Sequence, residues 1–163
     1  MTVYAGTPPA VSFGPGALRR LLDDAVEPLL EFSLPWPPAS DNRTWRSLRR
    51  GAQRRHVYLA PEVVSYREQV ALRLLEQRVP RSRFRRFVGL AFHFLPPNVA
   101  RRDFHNYPKV VLDAIQAYGI FEDDALVCPL LVTAGDVLTR GRVDVVLWTP
   151  ASGFPVWAEE RWT

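Results

Sequence analysis

The chain is poor in cysteine, methionine and lysine, with one of each among 163 residues. A lone Cys128 can close no internal disulfide and cannot build a cysteine zinc cluster. No apolar run approaches the roughly 20 residues a membrane-spanning helix needs. The N-terminus has neither the basic start nor the continuous apolar stretch of a secretory leader. A reducing, cytoplasmic setting without membrane contact is the expectation. Also missing are a Ser-His-Asp order, a glycine-rich phosphate loop and a cysteine nucleophile. Covalent catalysis by those devices is therefore not indicated. There is no internal repeat.

What is present is ordinary in bulk and unusual in charge. A hydrophobic fraction of 47% and a charged fraction of 23% match a globular protein, and the length suits one domain with its own core. Net charge is +4, and every basic residue except Lys109 is arginine. Arginine adds forked hydrogen bonding to charge, which suits phosphate. Arg43, Arg46, Arg49, Arg50, Arg54 and Arg55 crowd one loop-like stretch with Trp45 among them, and Arg81, Arg83, Arg85 and Arg86 form a second group. Basic clusters with interleaved aromatics point to nucleic acid, although codon bias alone also enriches arginine.

Along the chain, residues 1–16 read as a loose lead-in. GALRRLLDDAV places Leu18, Leu21, Leu22 and Ala25 at helical spacing. EFSLPWPP predicts a short strand ended by prolines, suited to a sheet edge. SDNRTWRSLRRGAQRRH predicts a long loop or hairpin, with HVYLA as the returning strand. APEVVSYREQVALRLLEQRV predicts a helix with the stripe Val63, Tyr66, Val70, Leu74 and Leu75. RFVGLAFHFLP predicts a strand buried on both faces.

A second helix follows, with Asn106 as N-cap, Pro108 in its first turn and Gly119 as its stop. ALVCPLLVTAGDVL and GRVDVVLWT predict two antiparallel neighbouring strands. The expected class is α+β, a small mixed sheet with two main helices. The expected division is an N-terminal extension over 1–26, a main domain over 27–149 and a tail over 150–163.

The stretch RRDFHNYPKVVLDAIQAYGIFEDDALV carries the chemistry. Asp103 precedes the second helix and Asp123 and Asp124 follow it. Carboxylates of this kind form a partial magnesium site, and such a metal activates water for phosphodiester hydrolysis. A helix of about 14 residues spans some 21 Å, so these acids meet only if the chain turns back after Gly119. The plainer reading makes Asp103 a helix cap, Asp123 and Asp124 a solvated turn, and Lys109 with Asp113 a surface pair. Spacing alone leaves both open.

Two regions, LPWPPASDNRTWR with YLAPEVVSYREQVA and the acidic stretch just quoted, resemble the RusA family of Holliday-junction resolvases, over roughly residues 32–148. The resemblance implies a homodimeric, magnesium-dependent endonuclease acting on four-way DNA junctions in recombination and repair, as found in bacteria and prophages. It implies Asp103, Lys109 and Asp124 as catalytic residues, and metal ligation by Asp103, Asp123 and Asp124, with Asp113 orienting its neighbours. It further implies DNA contacts by Arg43, Arg46, Arg49, Arg50, Arg54, Arg55, Arg101 and Arg102. The family's middle aspartate is replaced by His105, whose imidazole would join the metal shell and favour Mn2+ over Mg2+. Loss of that acid also raises an alternative, a branched-DNA-binding protein without cleavage.

Overall fold

The computed structural model describes residues 28–38, 40, 44–50 and 54–150. The amphipathic segment expected within the first 26 residues, Arg43 and the tail beyond residue 150 lie outside the described residues, as do the side chains of Arg49, Arg50, Arg54 and Arg55. The strands are β1 (Pro28–Pro35), β2 (Trp45–Arg50), β3 (Arg54–Leu59), β4 (Val88–Leu95), β5 (Val127–Ala134) and β6 (Arg142–Trp148). The helices are α1 (Pro61–Glu76) and α2 (Pro108–Tyr118). A four-stranded mixed sheet has the order β1-β6-β4-β5, and β2 and β3 form a separate antiparallel ribbon. The chain is α+β, as its pattern predicts.

β4 is the middle of the assembly. All eight of its residues are buried, as the unbroken apolar run VGLAFHFL requires. Alternation sends Leu90, Phe92 and Phe94 to one face, where Phe32, Leu34, Val143, Val145 and the apolar stripes of both helices meet them. α1 contributes Val63, Tyr66, Val70 and Leu74. Leu75, expected in that stripe, is instead 55% exposed, because it falls one residue past the buried arc. The opposite face carries Ala91, Val146 and Trp148. Gly89 belongs here for a steric reason: a Cβ would lie 2.2 Å from the Trp148 ring.

The two last strands are not neighbours. β4 lies between them, parallel to β5 and antiparallel to β6. The physical reason is the helix between β4 and β5. A parallel pair needs a long crossover, and α2 supplies one. β1 occupies the other edge, paired only to β6. Its outer backbone is covered by the Gln77 amide, which donates to Ser33 O at 2.7 Å and accepts from Ser33 N at 2.9 Å. That side chain replaces one pair of ladder bonds and blunts the edge.

A polar row crosses the sheet where His93 stands opposite both Thr133 and Asp144. His93 Nδ1 and Thr133 Oγ1 are 2.8 Å apart, and Arg142 donates to Asp144 at 3.0 Å. Burial raises the Asp144 pKa despite Arg142, and burial lowers that of His93 despite Asp144. A histidine with a depressed folded pKa contributes stability that is present above its unfolded value, about 6.5, and is lost as pH falls through its folded pKa. The urea midpoint of the wild-type protein should therefore decline as pH drops below about 6.5. His93→Gln should flatten that decline when unfolding is followed by circular dichroism; identical slopes would remove His93 from the linkage.

Candidate active site

The site is built where the chain leaves β4, turns into α2 and comes back. After Pro96 the loop folds on itself: Asn98 Oδ1 accepts from Ala100 N at 3.1 Å. Arg102 then donates to the carbonyls of Asn98 and Ala100, each at 2.8 Å, and its guanidinium lies 5.5 Å from the Trp36 ring centre. Arg102, expected on DNA, is thus engaged in holding the loop.

Below it an aromatic cluster fixes the approach to α2. Trp36 packs against Tyr107 at 5.3 Å and Phe104 at 6.4 Å between ring centres, and Phe94 of β4 lies within 6.2 Å of both Phe104 and Tyr107. Nothing in the periodicity of the sequence marks Trp36 or Phe104 for this task, since neither belongs to a helix or strand stripe.

Asp103 caps a single 3-10 turn, Phe104–Asn106, accepting from His105 N at 3.2 Å and from Asn106 Nδ2 at 2.8 Å. Asn106, expected to cap α2, instead serves Asp103; the helix begins after Tyr107 without a side-chain cap, and Pro108 needs none for its own missing N–H. Asp103 also borders an open cleft of about 340 Å³ with Arg101, Arg102, Ser40 and Asn106. His105 is exposed on the turn.

At its far end α2 stops on Gly119 at φ +99°, a left-handed conformation that glycine adopts without strain. Arg83 N donates to Gly119 O at 3.1 Å, and Gln116 Nε2 donates to Glu122 O at 3.1 Å, so the returning segment runs back beside the helix. It delivers Asp123 and Asp124 to a second 3-10 turn, Asp124–Leu126, which Asp123 caps by accepting from Ala125 N at 2.9 Å.

This return brings Asp124 onto the Lys109 ammonium, near the start of α2. The same ammonium lies 2.7 Å from Asp113 Oδ1, one helical turn along, and Asp113 Oδ2 faces Arg67 Nη2 of α1 at 3.5 Å. Four side chains from three segments thus form one chain of alternating charge. Burial works to lower the Lys109 pKa, but its bonds to Asp113 and Asp124 prevail and raise it. The Lys109 hydrogen bond lowers the Asp124 pKa against partial burial, so both partners stay ionised at neutral pH.

Asp124 and Lys109, 15 residues apart, are brought together as the returning chain requires. Asp103 and Asp123 stand on separate turns that both pack against α2. Among the described residues, no group of three or more His, Cys, Asp or Glu side chains converges tightly enough to hold a metal ion. The set Asp103, His105, Asp123 and Asp124 is therefore not gathered into one cluster: the first and third cap turns and the last holds an ammonium. The donors themselves suit a hard cation, because magnesium takes one or two carboxylates and completes its shell with water and phosphate. The ammonium on Asp124 marks that carboxylate as a place where positive charge is accommodated.

Of the arginines expected on DNA, Arg46 is paired with Glu62 at 2.6 Å, while Arg101 is exposed beside the cleft. In the second basic group Arg81 lies over Tyr118 at 4.9 Å and Arg85 pairs with Glu122 at 2.9 Å. Arg67 was not singled out by sequence, because its role depends on which helix α1 packs against. Trp45, Val57 and Tyr58 on the β2–β3 ribbon are exposed.

The α+β domain thus sets three carboxylates and a lysine around the two ends of one helix. The family model described as endodeoxyribonuclease RusA matches residues 35–147, and the chain belongs to that family. It is similar to the crossover junction endodeoxyribonuclease RusA of Escherichia coli (strain K12), with 30% identity over 116 residues, 71% of this chain and 91% of the relative. The corresponding protein of Enterobacteria phage 82 matches at 30% identity over the same shares of both chains, and that of Shigella sonnei (strain Ss046) at 29%. No helix among the described residues is long and apolar enough to cross a membrane.

The capping and charge roles of Asp103 separate by substitution. Asp103→Ala should lower unfolding free energy by about 1 kcal/mol through loss of the cap, whereas Asp103→Asn, which keeps an acceptor, should stay within a few tenths. Urea titrations of the three proteins measure this directly; equal losses in both variants would deny the cap.

Proposed function

We propose that this protein is a metal-dependent endodeoxyribonuclease that cuts four-way DNA junctions by phosphodiester hydrolysis, in recombination and repair. The observation that carries the reading is the Lys109–Asp124 pair, which joins the start of α2 to the returning chain in a member of this family. In this reading Asp103 and Asp124, with Asp123 next to Asp124, would hold Mg2+ or Mn2+, and His105 would join its shell or hold one of its waters. A divalent metal at such carboxylates supplies charge neutralisation and a water of lowered pKa. Lys109 offers its ammonium to the phosphate oxygens as charge develops, a role that positioned cations fill well in partly water-excluded sites.

Arg101 beside the cleft and the arginines of the β2–β3 ribbon meet the phosphate backbone, mainly through charge and with strong salt dependence. Opposed strands of a junction are cut by two sites related by a two-fold axis, so the working form is a homodimer. Cytoplasmic DNA is the partner.

Asp124→Asn should reduce cleavage of a four-way junction on the order of 100-fold or more while junction binding persists, and Asp103→Asn should do the same without loss of stability. Cleavage of labelled junctions beside gel-shift binding reads both; a wild-type rate for Asp124→Asn would sink the assignment.

One observation favours a second reading, binding without cleavage: His105 stands where the family has an acid. The two readings part on the wild-type protein, which should cut junctions in Mn2+ and, less well, in Mg2+. His105→Asp should shift that preference toward Mg2+, since a carboxylate suits the harder ion. Junction binding with no cleavage in either metal, restored by His105→Asp, would establish the second reading instead.

A further inference from the structure

We propose that Asp113, oriented by Arg67, is a second seat for the Lys109 ammonium, allowing Asp124 to release it when a divalent cation binds. This rests on the metal-dependent reading above and adds to it a residue pair that acts on the metal through Lys109.

The geometry argues for two seats rather than one. Lys109 Nζ contacts Asp113 and Asp124 together, but the two acids are held differently. Asp113 sits on α2 itself, four residues from Lys109, so their 2.7 Å contact needs no other part of the chain. Asp124 sits on the returning turn, 15 residues along the chain from Lys109, so its contact with the ammonium depends on the fold and not on the helix. Arg67 reaches from α1 to Asp113 Oδ2, leaving Oδ1 for Lys109. The Asp113 side chain is only 20% exposed, so its orientation is constrained by packing as well as by charge.

Charge then decides what a divalent cation does. Without metal, two carboxylates face one ammonium and one guanidinium, and the group is neutral. A cation with two charges arriving at Asp124 meets the ammonium already there, and like charges a few ångströms apart repel strongly. Lys109 is therefore a built-in competitor for Asp124. Asp113 relieves the competition because Lys109 keeps a full partner after it lets go of Asp124. Without Asp113, the ammonium would have Asp124 alone and would hold it. Lys109 would also remain close enough to serve a phosphate, which it would not if it swung into solvent. Asp113 and Arg67 are thus positioning residues in this scheme.

The test is metal binding without DNA or turnover, using Mn2+ as the probe and free Mn2+ measured by electron paramagnetic resonance. Lys109→Met should bind Mn2+ at least about 5-fold more tightly than wild type, and Asp113→Asn at least about 5-fold more weakly, each within the usual coupling range. The decisive protein is the double variant Lys109→Met/Asp113→Asn. If Asp113 acts only through Lys109, the double variant matches Lys109→Met.

A loss from Asp113→Asn that persists in the Lys109→Met background would overturn the proposal, because Asp113 would then act on the metal directly or by general field. An unchanged affinity in Asp113→Asn would overturn it as well. If neither wild type nor Lys109→Met binds Mn2+, the metal-dependent reading itself fails and this inference falls with it. Binding without coupling sinks this inference alone. Should Asp113→Asn not fold, as judged by circular dichroism, Arg67→Gln/Asp113→Asn removes both charges of the half-buried pair and is subject to the same comparisons.

Discussion

The rest of the structure depends on β4 being buried on both faces and paired on both edges. A strand with eight buried residues must be covered above and below, and its two ladders must be filled. β6 fills one in the antiparallel sense, arriving from a distant part of the chain after β5. β5 fills the other in the parallel sense, and this requires α2 to carry the chain back along the length of the sheet before β5 can start. The crossover therefore has two jobs. It buries the apolar face of α2 on Leu90, Phe92 and Phe94, and it returns Asp124 to the helix start beside Lys109.

The charged side chains around α2 sit on the parts of this unit that the core leaves free. Pro108, Val110, Val111, Ala114 and Ile115 are buried, so α2 is fixed in rotation. That rotation places Lys109 and Asp113 on its open side, next to α1 and the returning chain. The acids at the two turns are then positioned by backbone constraints of different kinds. Asp103 is held through the turn it caps and the aromatic cluster beneath, Asp124 through the segment paired to Arg83 and Phe84 after Gly119. The helix and the braced turns hold these carboxylates in place, and the Lys109 ammonium with the Arg67 guanidinium balances Asp113 and Asp124.

Several features of this arrangement have a bland explanation that is true at the same time. Asp103 is a cap, Asp123 is a cap, and Lys109 with Asp113 is an i,i+4 pair, as residues of these types commonly are. The tertiary structure adds convergence to these local roles. A surface pair has no need of Asp124 from 15 residues away, nor of Arg67 from another helix. Arg102 illustrates the opposite case: expected among DNA contacts, it has its hydrogen bonds within its own loop, where it lies over Trp36.

The amino-acid sequence by itself determined the elements and the residue types of the site. Unbroken apolar character gave β4 away, the stripe Val63, Tyr66, Val70 and Leu74 marked α1, prolines bounded the edge strand, and Gly119 ended α2, because each of these is a local consequence of side-chain size, periodicity or backbone freedom. The family likeness was legible for the same reason, as a run of residues within one continuous segment. Only the tertiary structure decided the order of the strands, since the spacing between β5 and β6 looks like a hairpin until β4 is found between them. It alone decided that Asn106 serves Asp103 instead of α2, that Leu75 faces water, and that Arg67 joins Asp113. Those outcomes depend on which surfaces meet after folding, and contacts between residues distant in the chain are set by the packing of whole elements, which no local pattern encodes.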